Sequence, residues 1–353
     1  RPYYYWEKVW GQGPWRLRQW NKRLLAIGLG SEEAYAGLPV SGSGNISLWD
    51  WSSLLLMWPL AGLAYLLLGR GHPLSLRLAV GILSLIGLAN NAPFRVSLWD
   101  AYRGDLGMAP YQCYIDYVNL RGGLVLWAQP DQRGVQEPLL LWEGRIGALG
   151  ALPLLDEELM DTYDYAGLAA LHADKVETAE PGRQWDRILQ EHLQQERRRP
   201  VWAYGDGDGE GGLQPDGVRT IFLVEERTRQ GVLDALRQGR LYASSGGAER
   251  LVLEEFAVAM EEQRAGAGQR LEGQGPVRVL ARIHGAGGDA EPVRVRLVRS
   301  GAVIAQLSGS TPLEVSHLDG ELAAGEKRYY RLLAYGHASR LVSNPIFVAG
   351  AGP

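Results

Sequence analysis

Asp206, Asp208 and Glu210 alternate through a glycine-rich stretch, YGDGDGEGG at 204–212. Carboxylates crowded onto a flexible loop at a strand end suit a single divalent cation, Ca²⁺ or Mg²⁺, or a plain turn. The spacing is not that of an EF-hand, because the twelfth residue counted from Asp206 is Gly217, where that loop needs a glutamate. No other cofactor is expected. The DGDGEGG run lacks the Lys-Ser/Thr of a P-loop, so neither ATP nor NAD is read from the chain. Ser244 and Ser245 precede Gly246 without the G-x-S-x-G elbow of a serine nucleophile. His72, His172, His192, His284, His317 and His337 fall outside ligand motifs and read as surface or satisfied core histidines. Cys113 stands alone, which excludes an intrachain disulfide and a thiolate metal cluster.

The elements that must position the carboxylates are regular. Val201 to Tyr204 reads as a strand entering the loop, and Val218 to Glu225 as the strand leaving it. A helix follows, capped by Thr228, with Val232, Leu233 and Leu236 at helical spacing and Gly239 as its stop; Arg240 to Ser244 is the next strand. Upstream, a helix over Tyr111 to Leu120, buried strands over Leu124 to Ala128 and Gly167 to Leu171, and a helix over Gln184 to Arg198 alternate as in a mostly parallel sheet or barrel. Beyond Gly247 the pattern changes to strands between Gly-rich turns. Val293, Val295 and Leu297 alternate there with Arg294, Arg296 and Arg299, the mark of half-exposed antiparallel strands in a β-sandwich.

The first hundred residues differ again. Eight of the 12 tryptophans lie there, and Trp6, Trp10, Trp15, Trp20 and Trp58 are the residues expected to meet lipid or a partner surface. Ser52 to Gly69 runs 18 residues without a charge, the length of a membrane-spanning helix, and a second apolar run from Leu74 to Phe94 is interrupted by Arg77, Asn90 and Asn91. Arg70 and Arg77 near the tip, with Glu32, Glu33 and Asp50 outside, orient such a hairpin with its tip cytoplasmic and both flanks extracytoplasmic. The alternative is a helical pair buried in a folded domain or lying in the interface. A net charge of -4 argues against a nucleic-acid partner.

Several of these segments also carry a resemblance. GLVLWAQPD at 123–131, PGRQWDRIL at 181–189, PVWAYGDGD at 200–208 and GVLDALRQGRLYASSG at 231–246 look like the second half of a PHP domain, the polymerase and histidinol phosphatase superfamily. The closest likeness is to its membrane-associated or exported metallohydrolase-like branch, and RYYRLLAYGHASRLVSNPIFV at 328–348 resembles the β-sandwich that follows in that branch. The resemblance covers Tyr111 to Val348. It implies a distorted α/β barrel with two or three divalent metals at the C-terminal strand ends, and metal-bound water attacking a phosphoester. The ligand motifs are degenerate. Gln129-Pro130 replaces a His-Pro turn, the Asp206 to Glu210 segment lacks the histidine of Asp-x-His, and no His-x-His occurs. If Arg103 to Leu106 is the remnant of that opening motif, Gly107 and Ala109 occupy its ligand positions; Glu32 or Glu33 matches a Gly-x-Glu ligand.

The expected organisation is therefore an N-terminal Trp/Arg-rich segment (1–51), a hydrophobic hairpin (52–96), a PHP-like α/β domain (97–248) and a β-sandwich (249–353). The function this favours is a structural or accessory subunit, catalytically degenerate, bound to lipid and to an integral membrane protein complex. Two alternatives stay open: an active metal-dependent phosphoesterase, and a β-sandwich ligand-binding or adhesion module presenting Tyr329, Tyr330 and Tyr335.

Overall fold

The computed structural model describes residues 3–7, 16–20, 23–39, 57–68, 71, 73–91, 106–128, 156–172, 175–207 and 217–351. Asp208, Glu210, Trp10, Trp15, His72 and the Gln129-Pro130 turn lie outside them. The chain divides into two compact units, one built from 1–21, 39–110 and 134–152, the other from 22–38, 111–133 and 153–353.

The first unit holds strands β1 (Tyr3–Glu7) and β2 (Arg16–Trp20), an antiparallel pair in which Trp6 stands opposite Leu17 and Trp20 opposite Tyr3. In the second unit, β3 (Arg23–Ile27) leads into the short helix α1 (Glu32–Ala36), capped by Ser31, whose side chain accepts from the Ala34 amide. Back in the first unit come helices α2 (Trp58–Leu68) and α3 (Leu74–Asn91). Gly62 faces Ser84 and Gly87 faces Trp58, so these two helices run in opposite directions with small residues at their closest approach. The membrane-spanning hairpin expected from the apolar runs is corrected in one respect: no described helix is long and apolar enough to cross a membrane. Helix α2 has 11 residues, about 16 Å at the α-helical rise, against a hydrocarbon core of about 30 Å. Helix α3 has 18 but carries Arg77 in its first turn, and that guanidinium folds back to donate to the Leu66 carbonyl at 3.0 Å.

The second unit continues with α4 (Ala109–Leu120), β4 (Leu124–Ala128), α5 (Asp156–Met160), β5 (Gly167–His172), α6 (Gln184–Leu193) and β6 (Trp202–Asp206). Strands β4, β5 and β6 pair in parallel, and β3 adds antiparallel to β4 as an edge. Their near-continuous apolar text, LVLWA and GLAALH, is what strands buried on both faces require, and β4 and β5 are buried throughout. The sheet is open. The barrel implied by the resemblance does not close among the described residues, for a specific reason. The next strands, β7 (Arg219–Phe222) and β8 (Leu241–Ser244), do not extend the β3–β6 ladder; β8 pairs with β17 (Arg340–Ser343) of the C-terminal sheet. Between them, α7 (Arg229–Gln238) is capped by Thr228, which accepts from the Gly231 amide at 3.0 Å, and is ended by Gly239 at φ 73°. A Cβ at Gly239 would collide with the Trp202 ring, so the left-handed stop and the close approach both demand glycine.

The remaining strands are β9 (Leu251–Met260), β10 (Gln263–Gly266), β11 (Arg270–Gly273), β12 (Pro276–Gly285), β13 (Pro292–Arg299), β14 (Ala302–Ser310), β15 (Leu313–Glu321), β16 (Lys327–Tyr335), then β17 and β18 (Ile346–Gly350). One sheet has the order β10-β9-β12-β15; the other runs β11-β18-β16-β17-β8-β7, with β13 and β14 attached through β16. Val277, Val279 and Ile283 of the first and Val293, Val295, Leu297 and Leu332 of the second share one apolar core, as in a sandwich. The expected alternation on β13 is present. Strands β17 and β18 are separated at Asn344-Pro345, since proline has no amide to donate. The sheet ladder also crosses the boundary expected at 248/249.

Candidate functional site

Two constellations in the second unit gather charge around a carboxylate. The first stands at the C-terminal edge of the parallel sheet. Strands β5 and β6 end in register, His172 opposite Asp206. The His172 Nδ1 lies 3.2 Å from the Asp206 carbonyl oxygen and 3.9 Å from its carboxylate Oδ2. Gly205 just before it is pressed against Arg219 and Val218 of the returning chain, and its amide donates to Thr220 Oγ1 at 3.0 Å. Tyr204, whose hydroxyl donates to the Trp127 carbonyl, has its pKa raised by burial and then by the Asp206 charge. His172, which lies outside any sequence motif, is the neighbour of Asp206 in the structure. The strand texts GLAALH and WAYGD each end on a polar ligand type, but it is the register of the two strands that brings those ends together.

The other expected ligands do not join this pair. Glu32 and Glu33 sit in the first turn of α1, just beyond Ile27, and Ile27 pairs with Leu124 at the start of β4. Because β3 runs antiparallel to β4, that places them at the opposite edge of the sheet from His172 and Asp206. Gly107 and Ala109 precede and open α4 and carry no ligand atom in a side chain. Among the described residues no three His, Cys, Asp or Glu side chains are placed to hold a metal. Cys113 lies on α4, half-buried, with its thiol pKa raised by burial and then by Asp116.

The second constellation joins residues far apart in the sequence. Asp186 on α6 is buried and accepts from Arg331 through two parallel bonds, Nε to Oδ1 and Nη2 to Oδ2, each 2.7 Å. Tyr329 donates its hydroxyl to Oδ1 and the Gly182 amide donates to Oδ2, again at 2.7 Å. Arg331 lies over the Trp185 ring at 4.9 Å. Burial, followed by the Asp186 charge, pushes the Tyr329 phenol far above its ordinary value. A buried carboxylate with four donors, two of them from one buried guanidinium, is a structural clamp between α6 and β16. Beside it Glu180 accepts from Arg296 at 3.1 Å and from Tyr335 at 2.8 Å. Tyr335 is pushed up to about 12 by burial and then by its bond to Glu180. Asn344 completes the seam: its Oδ1 accepts from the Ala203 amide on β6, while its Nδ2 donates to the carbonyls of Ala203 and Leu241. The SNPIFV ending thus has a physical role, stitching β6 to β8. Tyr329 and Tyr330 are buried here and are not available as exposed adhesion aromatics.

No family model and no curated protein matches this chain. Among solved structures, an engineered protein determined at 1.98 Å is similar to it at 20% identity over 28% of this chain and 20% of that one, with a TM-score of 0.18. At that score the likeness carries no argument about fold or function.

Proposed function

We propose that the protein is a catalytically degenerate, PHP-like, membrane-associated subunit that serves a structural or accessory role in a larger membrane protein complex, with its α/β and β-sandwich parts on the extracytoplasmic side. The observation that carries this reading is the surface of α3. Leu78, Ile82, Leu83, Leu85 and Ile86 are each between 57% and 61% exposed, and Trp58 on α2 is 51% exposed. Apolar side chains at that density need lipid or protein to cover them. The C-terminal edge of the parallel sheet agrees with a vestigial centre: one imidazole faces one carboxylate's own backbone, and the glutamates that a metal cluster would recruit lie at the far edge. Asp206, Asp208 and Glu210 are in this reading the remains of a site that at most holds one Ca²⁺ or Mg²⁺.

Mass spectrometry of the protein, gently solubilised from its membrane, should find it with fixed integral-membrane partners. Deleting 52–94 should release it from the membrane fraction. Retention that survives the deletion would contradict the anchoring role of the helices.

A further inference from the structure

Away from both constellations, a concave surface opens at the N-terminal edge of the parallel sheet. A cleft of about 240 Å³ there is bordered by Arg199, Arg237 and Trp202, and it shares Pro200, Trp202 and Arg237 with a second cleft of about 660 Å³ that continues to Arg264, Arg270 and His192. No Asp or Glu is among the described residues lining either part. Four arginines therefore line the two adjoining clefts in a protein whose net charge is -4. Two of them have carboxylate partners at the rim, Arg237 with Asp234 and Arg264 with Glu255. Arg199 reaches only the backbone oxygen of Asp164, at 3.2 Å, with the Asp164 charge nearby, and Arg270 has no ion pair among the described residues. Burial, ahead of any neighbouring charge, destabilises the charged form of Arg199. Trp202 and Phe347, both nearly buried, close the floor with their rings 6.2 Å apart, and the His192 ring packs against Phe347 at 5.4 Å.

Like charges converging on an apolar-floored groove repel one another unless an anion joins them, and the walls focus the field into it. Guanidiniums match phosphate oxygens in geometry as well as in charge. We propose that this groove binds a phosphate-bearing ligand, with Arg199 and Arg270 as its principal contacts and Arg237 between the two clefts. His192 reports on occupancy. Its pKa is lowered by burial first, against the raising effect of its bond to the Arg197 carbonyl, and then by Arg270 and Lys327, so an anion beside Arg270 should raise it.

Titrating the full chain with pyrophosphate, followed by calorimetry and by the His192 ring resonances, tests the assignment. Saturable binding with an upward shift of the His192 pKa is expected, weakened about tenfold or more in each of R199Q and R270Q, since one guanidinium–phosphate contact is of that order. R278Q, at an exposed arginine of β12, should bind like the native chain. Should R199Q fail to fold, R270Q on its exposed strand and R237Q on the α7 surface carry the comparison. Phosphatidylglycerol vesicles that compete with pyrophosphate on the native chain, and not on R270Q, would support a lipid headgroup as the source; vesicles without effect would support a free phosphate compound. Absence of pyrophosphate binding at millimolar concentration, or equal binding by R199Q/R270Q, would overturn the proposal.

Discussion

Asp186 and Asp206 are both carboxylates set against a basic partner at the end of a regular element, and they have opposite fates. Asp186 is 1% exposed and receives four donors at 2.7 Å, two of them from one guanidinium. Asp206 stands at a strand end with His172 at 3.9 Å from its Oδ2, and the loop after it lies outside the described residues. A buried charge with every oxygen engaged holds two layers in one arrangement. A strand-end carboxylate beside an imidazole has the types from which metal sites are made, and among the described residues no third ligand type joins them. Asp186 thus serves to hold α6 against β16.

Cutting the clamp has the largest expected effect. D186A should destabilise the second unit by about 3–5 kcal/mol, because it strands the Arg331 charge in a dry site. Denaturant midpoints measure this, and a loss below about 1 kcal/mol would mean that water relieves Arg331. The double change D186L/R331L should recover much of the loss, since an apolar pair of similar volume removes both desolvated charges. Next in size, N344A should cost about 1–3 kcal/mol by leaving the Ala203 amide and two carbonyls of the β6–β8 seam without their partner. T228A, which removes the α7 cap, should cost about 1 kcal/mol. Smallest of all, D206N combined with D208N should change stability by under about 1 kcal/mol and leave partner binding intact, as judged by co-purification.

A pH experiment sharpens the same contrast on the sandwich side. Burial acts to raise the Asp319 carboxyl, but hydrogen bonds from Tyr330 and Arg299 outweigh it and hold its pKa below the ordinary 3.8. A depressed carboxylate contributes stability that is fully present above its unfolded value and is lost as pH falls through its folded one. Acid unfolding of D319N should therefore show a weaker pH dependence below pH 3.8 than the native chain.

The sequence made the fold legible where local rules and burial agree. Thr228 and Gly239 bracket α7 as capping chemistry demands, and the Val293-Val295-Leu297 alternation places β13 with one face in the core. The interruption at Asn344-Pro345 and three strands were not legible: β10 is a short polar strand folded back on β9, and β11 and β15 pair with strands distant in sequence. At the candidate site, Asp206 was visible and His172 was not, since register between neighbouring parallel strands is a tertiary fact. The Asp186 clamp was invisible for the same reason, with Arg331 lying 145 residues away. Glu32 and Glu33 were misplaced because a motif match carries no strand direction; the antiparallel β3 sends them to the other edge.

The proposed reading, in which the strand-end carboxylates serve no reaction, stands or falls on metal content. Elemental analysis of the purified full chain, after incubation with Mn, Zn and Fe, should find at most one loosely held divalent cation and no hydrolysis of a generic phosphoester. Two or more tightly held transition-metal ions per chain, with hydrolysis lost in D206N, would contradict it.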